Sequence, residues 1–223
     1  MEKKIPRISS ALRRHIVEVP QEIFSCSGIV IWGKRIKSLV FTTDIAIIRN
    51  CNADAVLAVY PFTPQQVISD TLIAASYIPV FCGVGGGTTG GHRCVMLARD
   101  AEALGAMGVV LNAPIPNDVV ENIRKVIDIP IVCTVLNERT DIAARLEAGA
   151  QILNVSAASR TPEVVAHIRK NFPDVPIIAT GGPTGESIAR TIAAGANAIS
   201  YTPPTTNELF RELMDKYRGE DYR

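Results

Sequence analysis

From residue 38 onward one pattern of apolar and polar positions recurs along the chain. A short, nearly continuous apolar run rich in Val and Ile ends in a small polar residue, Gly or Pro. An amphipathic stretch follows, and Gly or Pro closes the unit. The runs are SLVFTT (38–43), AVLAVYP (55–61), PVFCGVG (79–85), MGVVLNA (107–113), PIVCTV (130–135), QILNVS (151–156), PIIATG (176–181) and NAISYTP (197–203). Unbroken apolar runs of this length predict strands covered on both faces, as in a parallel sheet. The stretches between them predict helices: TPQQVISDTLIAAS, GHRCVMLARDAEALG, PNDVVENIRKVID, RTDIAARLEAG, TPEVVAHIRKNFP, TGESIARTIAAG and TTNELFRELMDKYRG. Several open on Thr, Asn or Asp and several close on Gly, the residues that cap helix ends. The stretch after the first run, DIAIIRNCN, spans only about two turns and predicts the weakest helix.

Strict alternation of strand and helix implies a parallel sheet with right-handed crossovers. Eight such units closing on themselves make a compact (β/α)8 TIM barrel over residues 38–223. An open doubly wound sheet would need edge strands more polar or more interrupted than the others, and none of the eight runs differs in that way. Residues 1–37 precede the first strand. Positions 5–25 carry a helical pattern interrupted by Pro20, and IVIWGKRI (29–36) predicts a short extended segment. This helical and extended segment is expected to cover the barrel bottom, so that the whole chain forms one domain.

Composition narrows the function classes. Apolar residues make up 47 % and charged residues 20 %, which excludes intrinsic disorder. The net charge of +1 gives no global field for nucleic acid or an anionic membrane surface. Aromatic residues are 5 % with one Trp, too few for base-stacking platforms. No apolar run reaches the ~18 residues of a membrane span, and the N-terminal residues lack a signal-type apolar core. The five cysteines (26, 51, 82, 94 and 133) are odd in number and contain no CxxC pair, which fits reduced thiols and a cytoplasmic location. Charge is uneven: residues 1–37 hold eight basic and three acidic residues, a balance of +5. A solvated amphipathic helix and a contact with an anionic partner both account for that segment.

Barrels of this type carry their chemistry at the C-terminal strand ends and in the loops that follow. The strongest signal lies at the last two units. In ATGGPTGES, Gly181 and Gly182 separate a strand from a helix opening near Thr184, and SYTPPTTNEL sets hydroxyls in the same place. Glycine lets backbone approach an anion, and a helix start offers free N–H groups. Thr180, Gly181, Gly182, Tyr201 and Thr202 are therefore candidate phosphate ligands. The second signal is PVFCGVGGGTTGGH (79–92), whose Gly85, Gly86 and Gly87 are expected to close over substrate or bind a second anionic group. It fits GxGxxG, but the acid that a dinucleotide fingerprint requires about 20 residues on is replaced by Asn112.

The eight-unit rhythm and the IIATGGP…AGANAISYTP ending resemble the ribulose-phosphate-binding barrel superfamily, which includes thiamine-phosphate synthases, acylmannosamine-phosphate epimerases and phosphogluconate-type aldolases. The stretch PVFCGVGGGTTGGHRCVMLARDAEALGAMGVVLNAP (79–114) is similar to part of the dihydrodipicolinate-synthase-type lyases. The chain also resembles a small uncharacterised bacterial barrel family that carries a generic hydrolase label. The first of these resemblances implies a phosphorylated small-molecule ligand. The lyases form a Schiff base on a strand-six Lys, but the lysines here are 3, 4, 34, 37, 125, 170 and 216, and none lies in a predicted barrel strand. Schiff-base chemistry is not expected, nor is the catalytic Lys of the epimerases and aldolases.

Proton transfer is left to Asp44 after the first strand, Glu138 and Asp141 after the fifth, and His92 near the glycine loop. Two carboxylates from different sides of the barrel suit acid–base work, although Asp44 and Asp141 also stand where helix caps are expected. Tyr60, Asn112, Thr134, Asn154 and Ser156 make a mostly neutral polar ring suited to a hydroxylated ligand. No cofactor is expected. A Mg2+ ion on Asp44 is conceivable in charge, yet no HxH or HExxH supports a metal. The expectation is an isomerase, epimerase or lyase acting on a small phosphorylated, sugar-like metabolite. The alternatives are a non-catalytic sensor, in which the chain resembles glycerol-uptake antiterminator proteins, and a hydrolase. Barrels of this kind commonly form homo-oligomers.

Overall fold

The computed structural model describes residues 6, 8, 10–12 and 15–219. Two short strands, β1 (Ile29–Ile31) and β2 (Lys34–Ile36), form an antiparallel hairpin ahead of the barrel. Its turn residues, Trp32 (φ 47°) and Gly33 (φ 79°), both have positive φ, the backbone of the tight turn that matches strand twist.

The barrel follows as eight strand–helix units: β3 (Ser38–Phe41) and α1 (Ile45–Arg49), β4 (Ala55–Ala58) and α2 (Gln66–Ala75), β5 (Val80–Gly85) and α3 (His92–Ala103), β6 (Gly108–Leu111) and α4 (Asn117–Arg124), β7 (Ile131–Val135) and α5 (Ile142–Glu147), β8 (Ile152–Val155) and α6 (Thr161–Asn171), β9 (Ile177–Thr180) and α7 (Gly185–Ala193), β10 (Ala198–Tyr201) and α8 (Thr206–Arg218). All neighbours are parallel, and β10 pairs with β3 to close the ring. The expected (β/α)8 barrel is the observed fold. No helix among the described residues is long and apolar enough to cross a membrane.

Two apolar clusters explain why continuous apolar runs were needed. Alternate residues of each strand point to opposite faces. One set, including Leu39, Leu57, Phe81, Val110, Val132, Ile152 and Ile178, fills the barrel lumen together with Ile29, Ile31 and Ile36 of the hairpin. The other set, including Val40, Val56, Cys82, Val109, Cys133, Leu153, Ile177 and Ile199, packs outward against the helices. The hairpin therefore supplies the expected cover of the lumen. Asn197 ties this end together: its Nδ2 donates to Ser27 Oγ, and its carbonyl accepts from Gly28 N.

The rest of the N-terminal segment departs from expectation. Among its described residues, only Gln21–Ser25 is helical, as a single 3-10 turn. Residues 1–5, 7, 9, 13 and 14 lie outside the described residues. Val17 runs extended beside Cys51, and Pro20, which cannot donate a helical hydrogen bond, stands directly before the turn. This stretch is wall rather than cover, because Val19, Ile23 and Cys26 are buried in the layer between strands and helices. Helix α8, by contrast, buries no residue completely. The replacement Ile23→Val should cost about 0.5–1.5 kcal/mol in urea unfolding. Phe24→Leu, at a side chain 45 % exposed, should stay within about 0.5 kcal/mol. Equal, negligible effects would mean that the segment is not part of the core.

Candidate functional site

A cavity of about 660 Å3 opens at the C-terminal ends of the strands. Strand alternation builds it directly. The inward apolar residues Val110, Val132, Ile152, Ile178 and Ala198 are each followed two positions later by a polar one: Asn112, Thr134, Asn154, Thr180 and Ser200. Ser156 and Thr202 continue two of these rows, and Leu57 and Val59 supply an apolar side. Phe41, Thr42, Thr43 and Tyr60 complete the rim. A second cleft of about 390 Å3 shares Tyr60, Asn112, Thr134 and Ser156, and extends the mouth under Gly86, Gly87 and Leu136.

The polar ring is wired across strands. Asn154 Nδ2 donates to Thr134 Oγ1 at 3.3 Å, and Thr134 Oγ1 donates to Asn112 Oδ1 at 3.3 Å. Asn154 is 6 % exposed, and its Oδ1 has no partner. Tyr60 Oη accepts from Gln65 N at 2.9 Å, which fixes its ring at the rim. Among the described residues, Tyr60 is the ionisable side chain of the main cavity lining.

The four expected acid–base residues are placed differently. Asp44 caps α1, its Oδ1 accepting from Ala46 N and Ile47 N, while its Oδ2 accepts from Thr206 Oγ1 of α8. Asp141 caps α5 by accepting from Ala144 N at 3.0 Å. Glu138 pairs with Arg160 Nη2 at 2.6 Å. A hydrogen bond from its own backbone N–H and the nearby guanidinium hold its carboxyl below the usual range. His92 opens α3 and is exposed. None of the four lines the main cavity.

The expected phosphate residues also divide. Thr180 and Thr202 face the cavity. Tyr201 points the other way, packs against the outer core, and has its hydroxyl pKa raised by burial. Gly181 is packed between Ile199 and Ile188: an added Cβ would lie 2.7 Å from Ile199 Cγ2. Gly182 has φ 83° and forms the turn into α7, where Thr184 and Ser187 make a capping box. The carboxylate of Glu22 reaches the first turn of α7, within 2.2 Å of where a Cβ on Gly185 would stand. An anion from the protein itself therefore lies at that helix start. In the glycine loop, Gly86 N donates to Thr89 O and Gly87 N to Pro114 O. Those two amides are spent on a backbone turn, and Gly85 is pressed against Cys94 Sγ.

Sequence reasoning did not place Glu22 at the start of α7 or Arg160 beside Glu138, because loop path and not strand rhythm brings them there. The apolar side formed by Leu57 and Val59 was legible in principle, since both lie at even spacing from the inward Ala55. The donor set does not fit Mg2+, which favours carboxylate oxygens. The cavity offers hydroxyls and amides, and among the described residues no three His, Cys, Asp or Glu side chains gather.

The five thiols are free and buried. Burial pushes Cys26 and Cys82 up to about 11 and Cys133 up to about 12. The thiolate is the reactive form, so the native protein at pH 8 should show no fast reaction with a thiol reagent, and the urea-unfolded chain should release all five. The folded state holds these protons more tightly than the unfolded chain. Stability should therefore fall as pH rises above about 9, which urea midpoints at pH 8 and pH 10 would check.

No protein-family profile matches the sequence, and no curated relative matches it. Solved structures do. The phosphoenolpyruvate phosphomutase of Streptomyces platensis subsp. rosaceus superposes with a TM-score of 0.62 at 15 % identity, covering 87 % of this chain and 82 % of that one. A 2,3-dimethylmalate lyase, a PEP mutase/isocitrate lyase superfamily member, gives 0.61 at 12 %, covering 89 % and 85 %. A phosphonopyruvate hydrolase in complex with oxalate and Mg2+ gives 0.59 at 13 %, covering 84 % and 81 %. What is shared is the barrel. Identities of this size carry no reaction across, and they leave the resemblance to ribulose-phosphate-binding barrels as an expectation.

Proposed function

We propose that the protein is an enzyme that takes a small, phosphorylated, hydroxyl-bearing metabolite into the barrel mouth and isomerises, epimerises or cleaves it without a Schiff-base lysine. One observation carries the ligand class: the neutral ring of Asn112, Thr134, Asn154, Ser156, Thr180, Ser200 and Thr202 around a 660 Å3 cavity. Buried polar side chains need partners, and a hydroxylated ligand supplies them. The hydroxyl-bearing part belongs among Asn112, Thr134 and Asn154, with the phosphate outward beside Thr180 and Thr202. Support for enzyme activity comes from neighbours of the same fold, whose names are those of a mutase, a lyase and a hydrolase. Two proton-transfer groups are within the frame: Tyr60 in the lining, and Asp44, adjacent in sequence to the cavity residue Thr43.

A second reading, a non-catalytic metabolite sensor, is favoured by one specific observation. The carboxylates expected to do acid–base work are engaged as helix caps or in an ion pair. A thermal-shift screen against inorganic phosphate, pyrophosphate and sugar phosphates tests the ligand class. A ligand at 100 times its Kd adds about 2.7 kcal/mol, a rise of roughly 5–10 °C. Turnover of the best hit then separates the readings. The substitution Asp44→Asn keeps a good helix cap, so a fall in turnover of about 100-fold would assign proton transfer to Asp44. Saturable binding with no turnover of any hit favours the sensor.

A further inference from the structure

We infer that α8 is half of a contact between two copies of this chain. The α8 helices of the two copies pack antiparallel, each seated in the groove beside the other. The inference is independent of the ligand reading of the barrel mouth.

The groove exists because two helices leave space unfilled. Helix α1 has only five residues, a rise of about 7.5 Å. Val19, Ile23 and Cys26 take up wall space beside α7, and α8 buries no residue completely. Between α1 and α8 lies a groove of about 480 Å3, lined on the barrel side by Ile16, Val17 and Ile47. It shares Ile16 and Asn50 with a second hollow of about 460 Å3 that runs on to Arg49 and Tyr77. Two hollows joined in this way make an elongated trough, which suits a helix better than a small metabolite.

Helix α8 carries a matching apolar stripe. Leu209, Leu213 and Tyr217 stand one turn apart and line the groove. Phe210, 63 % exposed, widens the stripe beyond the groove lining. A helix of this length is marginal by itself, and covering its apolar face is what stabilises it. The chain's own N-terminal residues do not provide that cover. The chain meets the groove at His15, yet Ile8 and Leu12 are fully exposed.

Charge selects a second copy as the occupant. Glu212 and Lys216 stand one turn apart on the groove side of α8 and are exposed. Among the described residues, neither joins an ion pair. In an antiparallel pair of identical helices, Glu212 of each copy meets Lys216 of the other, so the ion pair forms twice. Parallel packing would set Glu against Glu and Lys against Lys. A two-fold contact needs a patch complementary to itself, and this edge has that property. The Leu209 and Leu213 side of the stripe then meets the other α8, while Phe210 reaches Ile16 and Ile47 of the other copy.

The test is sedimentation velocity of the full chain, with the fold of each variant followed by circular dichroism. The wild type should be dimeric at about 10 µM. Leu213→Asp, at a side chain 38 % exposed in one copy, should keep the wild-type spectrum and weaken association at least about 100-fold. Glu212→Lys and Lys216→Glu, each alone, should weaken it at least about tenfold at low salt, because like charges then face each other. An equimolar mixture of these two variants should recover the dimer, since one carries two lysines on that edge and the other two glutamates. Three results overturn the inference: a wild type still monomeric at about 100 µM, a dimer indifferent to all three substitutions, or a mixture that associates no better than its separate components. A monomeric wild type whose Tm falls with Leu12→Asp would also overturn it, and would assign the groove to the chain's own N-terminal residues.

Discussion

Replacing Phe81 by alanine should lower stability by about 3–5 kcal/mol and the Tm by roughly 6–20 °C. Phe81 is 1 % exposed and is the largest fully buried side chain of the molecule's described residues. It lies in the barrel lumen, where it packs with Leu57, Val110 and Val132. The space for its ring is made by Gly108 on the neighbouring strand: a Cβ there would stand 2.8 Å from Phe81 Cδ1 and 2.9 Å from Pro130 O. The lumen is closed by the hairpin at one end, so little can collapse into the void, and a poorly relaxing cavity gives the upper part of that range. Urea unfolding of Phe81→Leu, Gly108→Ala and the double variant would measure the coupling. Close neighbours should depart from additivity by about 0.5–3 kcal/mol, with the smaller leucine partly accepting the alanine methyl. Additive effects would place the two residues in separate environments.

Gly86→Ala is the second large expected effect, of about 2–4 kcal/mol, combining a strained backbone with overpacking. Gly86 has φ 96°, and an added Cβ would stand 2.0 Å from the carbonyl oxygen of Asn112. Both atoms belong to backbone, so no side chain can swing aside. Asn112 lines the cavity and accepts from Thr134, so the same shift should also weaken ligand binding at the mouth. Gly87 provides the control. Its φ is 65°, yet nothing lies within 4 Å of an added Cβ. Gly87→Ala should cost only the conformational part, about 1 kcal/mol. Similar losses at the two positions would show that backbone conformation alone, and not the close approach to Asn112, requires glycine in this loop.

Much of the site was legible in the sequence through a single rule. Five of the barrel strands, β6 to β10, carry their inward row on to a polar residue, and the even spacing of Val132 to Thr134 or Ile152 to Asn154 is visible along the chain. Seven of the expected ligand residues, Tyr60, Asn112, Thr134, Asn154, Ser156, Thr180 and Thr202, come together in the cavity. Tyr201 did not follow because it stands one residue out of step, and in a strand one residue is the opposite face. Asp44 and Asp141 were ambiguous for a different reason. A carboxylate just before a helix satisfies the free N–H groups of the first turn whether or not it serves any chemistry. The structure shows both doing that work.

The sequence by itself determined the barrel, its eight units, the two apolar faces of its strands, and the neutral polar character of its mouth. All of these follow from periodicity, and periodicity is local. The tertiary structure alone decided that residues 17–26 form wall rather than cover, that Glu22 lies at the start of α7, and that Arg160 meets Glu138. It also decided that Asn154, Thr134 and Asn112 share one hydrogen-bonded chain across three strands. Those relations join residues twenty or more positions apart. They depend on loop paths and on the curvature that brings neighbouring strands to one lumen, and no repeat along the chain encodes either.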